Sequence, residues 1–192
     1  MMDEFIYIDK TFERLVQFDA HVSNREFDHC TFVNCEFSNA VFSDCTFIDC
    51  DFENCNLSMA KLPKSRLQTV VFKDCKLLGI RFDECDDFLF DVDFFGSTLD
   101  YSWFNGKKMK EAGFNRGSFK GVNFSSCDLT KANFFETNLD GAIFDNTILN
   151  GADFSTAYNY RIDPQYNPMQ KAKFSADGLP GLLEKYDIRI DN

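Results

Sequence analysis

Phenylalanine or leucine occupies every fifth residue over most of this chain. From Phe27 the positions 27, 32, 37, 42, 47, 52, 57, 62, 67, 72, 77 and 82 all carry one of the two. After a slip of two residues the series resumes at Leu89. It then runs through Phe94, Leu99, Phe104, Met109, Phe114, Phe119, Phe124, Leu129, Phe134, Leu139, Phe144, Leu149 and Phe154, with Met109 the sole exception. These positions absorb 16 of the 24 phenylalanines, so the aromatic excess follows from the repeat.

A period of five fits neither standard element. On a helix five residues advance about 500°, which spreads the apolar side chains over every face and leaves no buried stripe. On one straight strand a step of five sends successive side chains to opposite faces. Both problems vanish if the chain turns after each five residues and the central side chain always points inward. The result is a square coil in which each side stacks on the one 20 residues later, at about 4.8 Å. The period therefore predicts an all-β fold, a right-handed quadrilateral parallel β-helix.

The residue two before each centre shares its inward direction. Cys30, Cys35, Ala40, Cys45, Cys50, Cys55, Ala60, Ser65, Val70, Cys75, Ile80 and Cys85 fill that place, as do Ala112, Val122, Cys127, Ala132, Ala142 and Ala152. All eight cysteines belong to this set, where a small apolar group fits and a polar one is expected to be costly. The remaining positions, such as Asn34, Glu36, Ser38, Asn39, Asp44, Glu53 and Asn54, are polar and turn-forming, as an outer wall requires.

The segment CTFVNCEFSNAVFSDCTFIDCDFENCNLSMAKL, from Cys30 to Leu62, resembles the pentapeptide-repeat family, and the resemblance covers roughly residues 25 to 156. It implies a right-handed four-sided β-helix and a binding role, since such solenoids offer flat outer faces to partners. Within the family the chain is similar to the Qnr-like quinolone-resistance and microcin-immunity branch. That likeness rests on TFERLVQFD and REFDHCTF near the N-terminus and on the apolar C-terminal end. It implies an acidic, duplex-like rod that binds DNA gyrase or topoisomerase IV and protects it from quinolones or peptide toxins. It also implies a homodimer joined through the C-terminal segment. Qnr-type relatives carry long projecting loops, whereas this chain departs from the repeat by a two-residue slip.

Three regions are expected. Residues 1–24 hold Phe5, Ile6, Ile8, Phe12, Leu15, Val16, Phe18 and Val22, enough apolar surface for an N-terminal cap. Residues 25–156 form the β-helix with a phase break at 83–88. Residues 157–192 leave the motif, return in phase at Ala172 and Phe174, and end in a capping or dimerising helix. Pro180 suits its first turn, and Leu179, Leu182, Leu183 and Tyr186 can share one face, with Ile188 and Ile190 extending the apolar end.

No catalytic set is apparent, and the chain reads as a non-enzyme without cofactor or metal. His21 and His29 read as isolated surface or cap residues, and neither shares the inward set of the cysteines, whose C-x4-C spacing is that of packing and not of a zinc site. The acidic start and the lack of a long apolar run point to a cytoplasmic protein without a membrane span. A net charge of −11 argues against binding nucleic acid directly. It suits a partner with a basic surface. The face centred on 32, 52, 72, 94, 114, 134 and 154 carries Asp51, Glu53, Asp74, Asp93, Glu136 and Asp153 against Lys73 and Arg116. Its net charge is −4, while each other face sums to −1. These six carboxylates are the candidate partner-binding face. Two functions stay open: mimicry of DNA toward a topoisomerase, or an interaction module for an unrelated protein.

Overall fold

A computed structural model describes residues 4–189. The coil expected from the period is present, and every strand pairing is parallel. The longest sheet joins Thr11–Glu13, Thr31–Val33, Asp51–Glu53, Val70–Lys73, Val92–Phe95 and Phe114–Asn115, with Phe12, Phe32, Phe52, Phe72, Phe94 and Phe114 in mutual register. Single bridges at Asn133 and the pairing of Asp153–Phe154 with Lys173–Phe174 carry the same face onward. Inside it nine rings, from Phe12 to Phe174, lie one on another with centroids 4.5 to 5.8 Å apart. Rings on neighbouring faces meet edge to face, as Phe32 does with Phe37 at 76°. Quadrupoles favour both arrangements, each contributing about 0.5–1.5 kcal/mol beyond area burial.

Corners follow a rule of backbone conformation. From Asp9 to Asp74 every fifth residue, two after each centre, has φ between 49° and 60°, in the left-handed region. Nine of these fourteen are Asp or Asn, the residues besides glycine that tolerate it best. The outer polar residues are therefore needed where the chain turns as well as where it meets water.

The inward place two before each centre is a donor site. Cys55 Sγ reaches the Phe32 carbonyl at 3.2 Å, and Cys35, Cys50 and Cys75 repeat the contact at 3.3 Å to Phe12, Phe27 and Phe52. Ser65 and Thr147 do the same with hydroxyls, each at 2.8 Å, and Asn167 does it with its amide at 3.1 Å. The expectation that a polar group is costly here is corrected. Each such group finds a carbonyl of the preceding coil, and a satisfied buried donor carries little penalty.

Residues 6–23 are a further coil of the solenoid, not a covering laid over it. Ile6–Ile8 pairs with Glu26–Asp28 and His21–Ser23 with Val41–Ser43, which places Tyr7 on Phe27 and Val22 on Phe42. Phe5, Ile6, Ile8, Val16 and Phe18 remain exposed.

At the phase break Leu89 is not a central residue. It is 63% exposed with φ of 53°, at a corner, while Phe90 turns inward and is 7% exposed. A 3-10 turn, Phe82–Glu84, leads into the extra residues. Lys107, which occupies the small-residue place of the next coil, fills the widened turn. It is 2% exposed, donates to the Cys85 carbonyl at 2.6 Å and to Asp87, and lies 4.9 Å from the Phe90 ring centre. Its ammonium thus offsets the exposed carboxylate of Asp87 from within the wall.

The C-terminal excursion keeps the path of the coil. Ala157, Tyr160, Ile162 and Asn167 are buried, and Phe174 stacks on Phe154 at 5.2 Å. Beyond it a strap of single turns, Ala176–Gly178, Pro180–Leu183 and Glu184–Tyr186, lies across the last coil. Helix proper is limited to Pro180–Leu183, shorter than the apolar pattern suggests. Gly181 sits so close to Tyr160 that a Cβ there would lie 2.2 Å from the Tyr160 carbonyl oxygen, and the left-handed Asp187 ends the strap.

Candidate interaction surface

The six carboxylates proposed for binding all project from the long face, and the structure shows how they are held. Asp51 and Glu53 flank Phe52, and Lys73 from the next coil lies 2.8 Å from the first and 3.3 Å from the second. Arg116 is 3.1 Å from Glu136, and Lys173 is 3.0 Å from Asp153. Asp153 also accepts from the hydroxyl and amide of Ser155, and its carboxyl is held below the usual range first by that hydroxyl, then by Lys173. Asp93 accepts from the Gly113 amide at 2.6 Å. Of the six, Asp74 and Asp93 are in no ion pair with a cationic side chain among the described residues.

Four of the six are thus paired across coils. The longer solenoid also changes the tally: its two further rungs on this face bring Lys10, Arg14 and Lys173 against Glu13, so −4 falls to −2. Free negative charge lies elsewhere. Asp9, Asp19 and Asp44 stand at corners of the first coils with no ion pair to a cationic side chain among the described residues. Residues 1–88 carry −8 of the −11. Sequence inspection grouped charge by face, which placed Asp44 on a face summing to −1 and left Asp9 and Asp19 in the region read as a cap.

His29, read from sequence as isolated, is not. Its Nδ1 lies 2.6 Å from Asp28 Oδ1 and its Nε2 lies 3.8 Å from Asp49 Oδ2. The hydrogen bond and charge of Asp28 raise its pKa above the ordinary value. The eight thiols are free and buried. Burial is the main reason that Cys50, Cys85 and Cys127 are pushed up to about 12, which leaves them protonated and poor as nucleophiles or metal ligands near neutrality.

At the C-terminal end Leu179, Tyr186 and Ile188 are exposed by 46%, 59% and 56%. Leu182 turns inward against the core and Leu183 is half-buried, so the apolar residues do not share one outer face. Ile190 lies outside the described residues. Arg161 and Glu184, at 3.0 Å, and Lys185 and Asp163, at 2.6 Å, tie the strap to the coil.

The family model for the pentapeptide repeat region matches residues 25–104 and 45–124, and that for pentapeptide repeats in eight copies matches residues 118–155. The chain belongs to the pentapeptide-repeat family. Among solved pentapeptide-repeat structures, it is similar to a trypsin-treated point variant of QnrB1, described as a plasmid-mediated fluoroquinolone resistance protein. The identity is 15% over 98% of this chain and 99% of that one, with a TM-score of 0.59. Full-length QnrB1 gives 15%, 95% and 100%, with a TM-score of 0.57. HetL, a pentapeptide repeat protein involved in heterocyst differentiation regulation from the cyanobacterium Nostoc, gives 12%, 91% and 88%, with a TM-score of 0.56. No curated protein sequence matches the chain. At these identities the likeness is one of fold, shared by pentapeptide-repeat proteins of different roles. No helix among the described residues is long and apolar enough to cross a membrane.

Proposed function

We propose that this pentapeptide-repeat protein is a protein-binding rod that imitates DNA toward a cytoplasmic type II topoisomerase, DNA gyrase or topoisomerase IV, and so protects it from quinolones or peptide toxins. One observation carries the reading: an unbroken column of stacked rings inside a wall that is negative overall. Eight steps between nine stacked rings, at about 4.8 Å each, make a rod of about 38 Å, close to one turn of duplex DNA. The mimic works through the potential of the whole surface, which attracts a basic DNA channel over distance. Its charge is dilute, because a duplex of that length carries roughly 22 phosphates.

The pairing of Asp51, Glu53, Glu136 and Asp153 with lysine and arginine favours a second reading. In it the rod is an interaction module for an unrelated protein and its charge serves solubility. Gyrase supercoiling, with and without ciprofloxacin, separates the two. Under the first reading, added protein inhibits supercoiling or restores it in the presence of the drug at micromolar concentration. No effect of either kind leaves the second. We further propose a homodimer through the strap, with Leu179, Tyr186 and Ile188 as the contact, since they form an exposed apolar group at the solenoid end.

A further inference from the structure

His29 and its two carboxylates form a cluster that neither the repeat nor the proposed binding role uses. His29 stands at the corner after Phe27, and Asp49 stands at the same corner one coil later. Both have left-handed backbone, with φ of 50° and 49°, so their side chains leave the wall in the same direction. The spacing between them is fixed by the ladder: the His29 amide donates to the Ile48 carbonyl at 3.0 Å, and the Asp49 amide to the Gln68 carbonyl at 2.9 Å. Asp28 precedes His29 and pairs with Asp9's neighbour Ile8 in register, which puts Asp9 at the equivalent corner of the first coil.

We propose that His29 and Asp49, with Asp28 holding the imidazole in place, form a binding site for a borderline divalent cation such as Zn²⁺. One ligand atom from each lies within 4.8 Å of the others. The imidazole is divided between two tasks. Nδ1 is occupied by Asp28 at 2.6 Å, which fixes the ring plane and raises the basicity of the opposite nitrogen. Nε2 faces Asp49 Oδ2 at 3.8 Å, too far for a hydrogen bond. A tetrahedral ion with bonds of about 2.1 Å holds neighbouring ligands about 3.4 Å apart, so a shift of about 0.4 Å brings both atoms onto one cation. Water completes the shell, since the side chains of His29 and Asp49 are 61% and 42% exposed. An imidazole with carboxylates selects Zn²⁺, Ni²⁺ or Co²⁺ over Mg²⁺ or Ca²⁺. The bound cation would clip the second coil to the third and neutralise part of the most acidic stretch of the wall.

Calorimetric titration of the full chain with Zn²⁺ tests the site, alongside His29→Gln and Asp49→Asn. Both residues are exposed at corners, and circular dichroism verifies that the variants keep the coil. The expected result is one saturable site per chain below millimolar metal, weakened at least tenfold in His29→Gln and Asp49→Asn, with Asp28→Asn weakened about tenfold through loss of ring orientation. Titration with Co²⁺ should give visible bands without the near-ultraviolet absorption of a thiolate ligand. Absence of saturable Zn²⁺ binding at millimolar metal, equal affinity in His29→Gln, or a thiolate band with Co²⁺ would each overturn the proposal.

Discussion

Single residues in this molecule are chosen by two local demands, a left-handed corner and an inward donor. Thr69 meets the first poorly. It is exposed, β-branched and held at φ of 53°, a conformation that costs L-residues about 1–2 kcal/mol. Thr69→Asn should therefore stabilise the protein by about 0.5–1 kcal/mol, read as a raised midpoint in urea. Gly106 is the converse case. A Cβ there meets nothing within 4 Å, so Gly106→Ala should cost about 1 kcal/mol through the φ of 76° alone. Ser65 tests the second demand. It donates to the Phe42 carbonyl at 2.8 Å and accepts from the Cys45 amide at 3.0 Å, so Ser65→Ala should cost about 1–3 kcal/mol by leaving both unpaired. The aromatic centres and the small inward places were legible because their side chains point one way at a fixed period. The donor role was not, because it depends on a carbonyl 23 residues away in the preceding coil.

At the scale of elements, the solenoid is regular except where length or direction changes, and those are the places where the period misled. Leu89 falls in the arithmetic frame, but the extra residues bow outward and hand the inward place to Phe90. The first coil was hidden by its own centres, Tyr7, Phe12, Gln17 and Val22, of which one is polar and only one is phenylalanine. Register with the coil above, not residue type, makes it part of the stack. Lys107 should be the keystone of the break. Lys107→Ala removes the group that fills the turn and satisfies Cys85, and should cost about 3 kcal/mol. Lys107→Met keeps most of the volume and should cost clearly less. Denaturant melts of the two variants give the comparison, and equal losses would show that the charge, not the volume, matters. The strap has a pH dependence of its own. Lys185 holds the Asp163 carboxyl below its ordinary range. A depressed carboxylate contributes stability above its unfolded pKa of about 3.9 that is lost as pH falls through the lower folded value. Amide signals of Lys185 and Ile188 should shift through that acid range in the native protein and stay fixed in Asp163→Asn.

The whole molecule is a rod whose outer charge is arranged by coil rather than by face. Face by face, the candidate carboxylates Asp51, Glu53, Asp74, Asp93, Glu136 and Asp153 stood out in the sequence. Side-chain pairing across coils, which no linear reading contains, sets three cations against four of them. The corner carboxylates of the first half are left to carry the field. On the proposed mimicry of DNA, reversal of the corner residues Asp44 and Asp74 to lysine should weaken topoisomerase binding more than reversal of the ion-paired Glu136. The fold admits lysine at such corners, as Lys64 and Lys131 show with φ of 57° and 60°. If the strap joins two copies, light scattering of the chain ending at Phe174 should give half the mass of the full chain.

The central claim is that this rod takes the place of duplex DNA on a topoisomerase. Displacement of a fluorescent duplex from gyrase, followed by anisotropy as the protein is added, measures that directly. The account predicts that the duplex is released at micromolar protein, with the effect fading as salt rises. An anisotropy that stays at the value of the gyrase-bound duplex throughout the titration at low salt would contradict it.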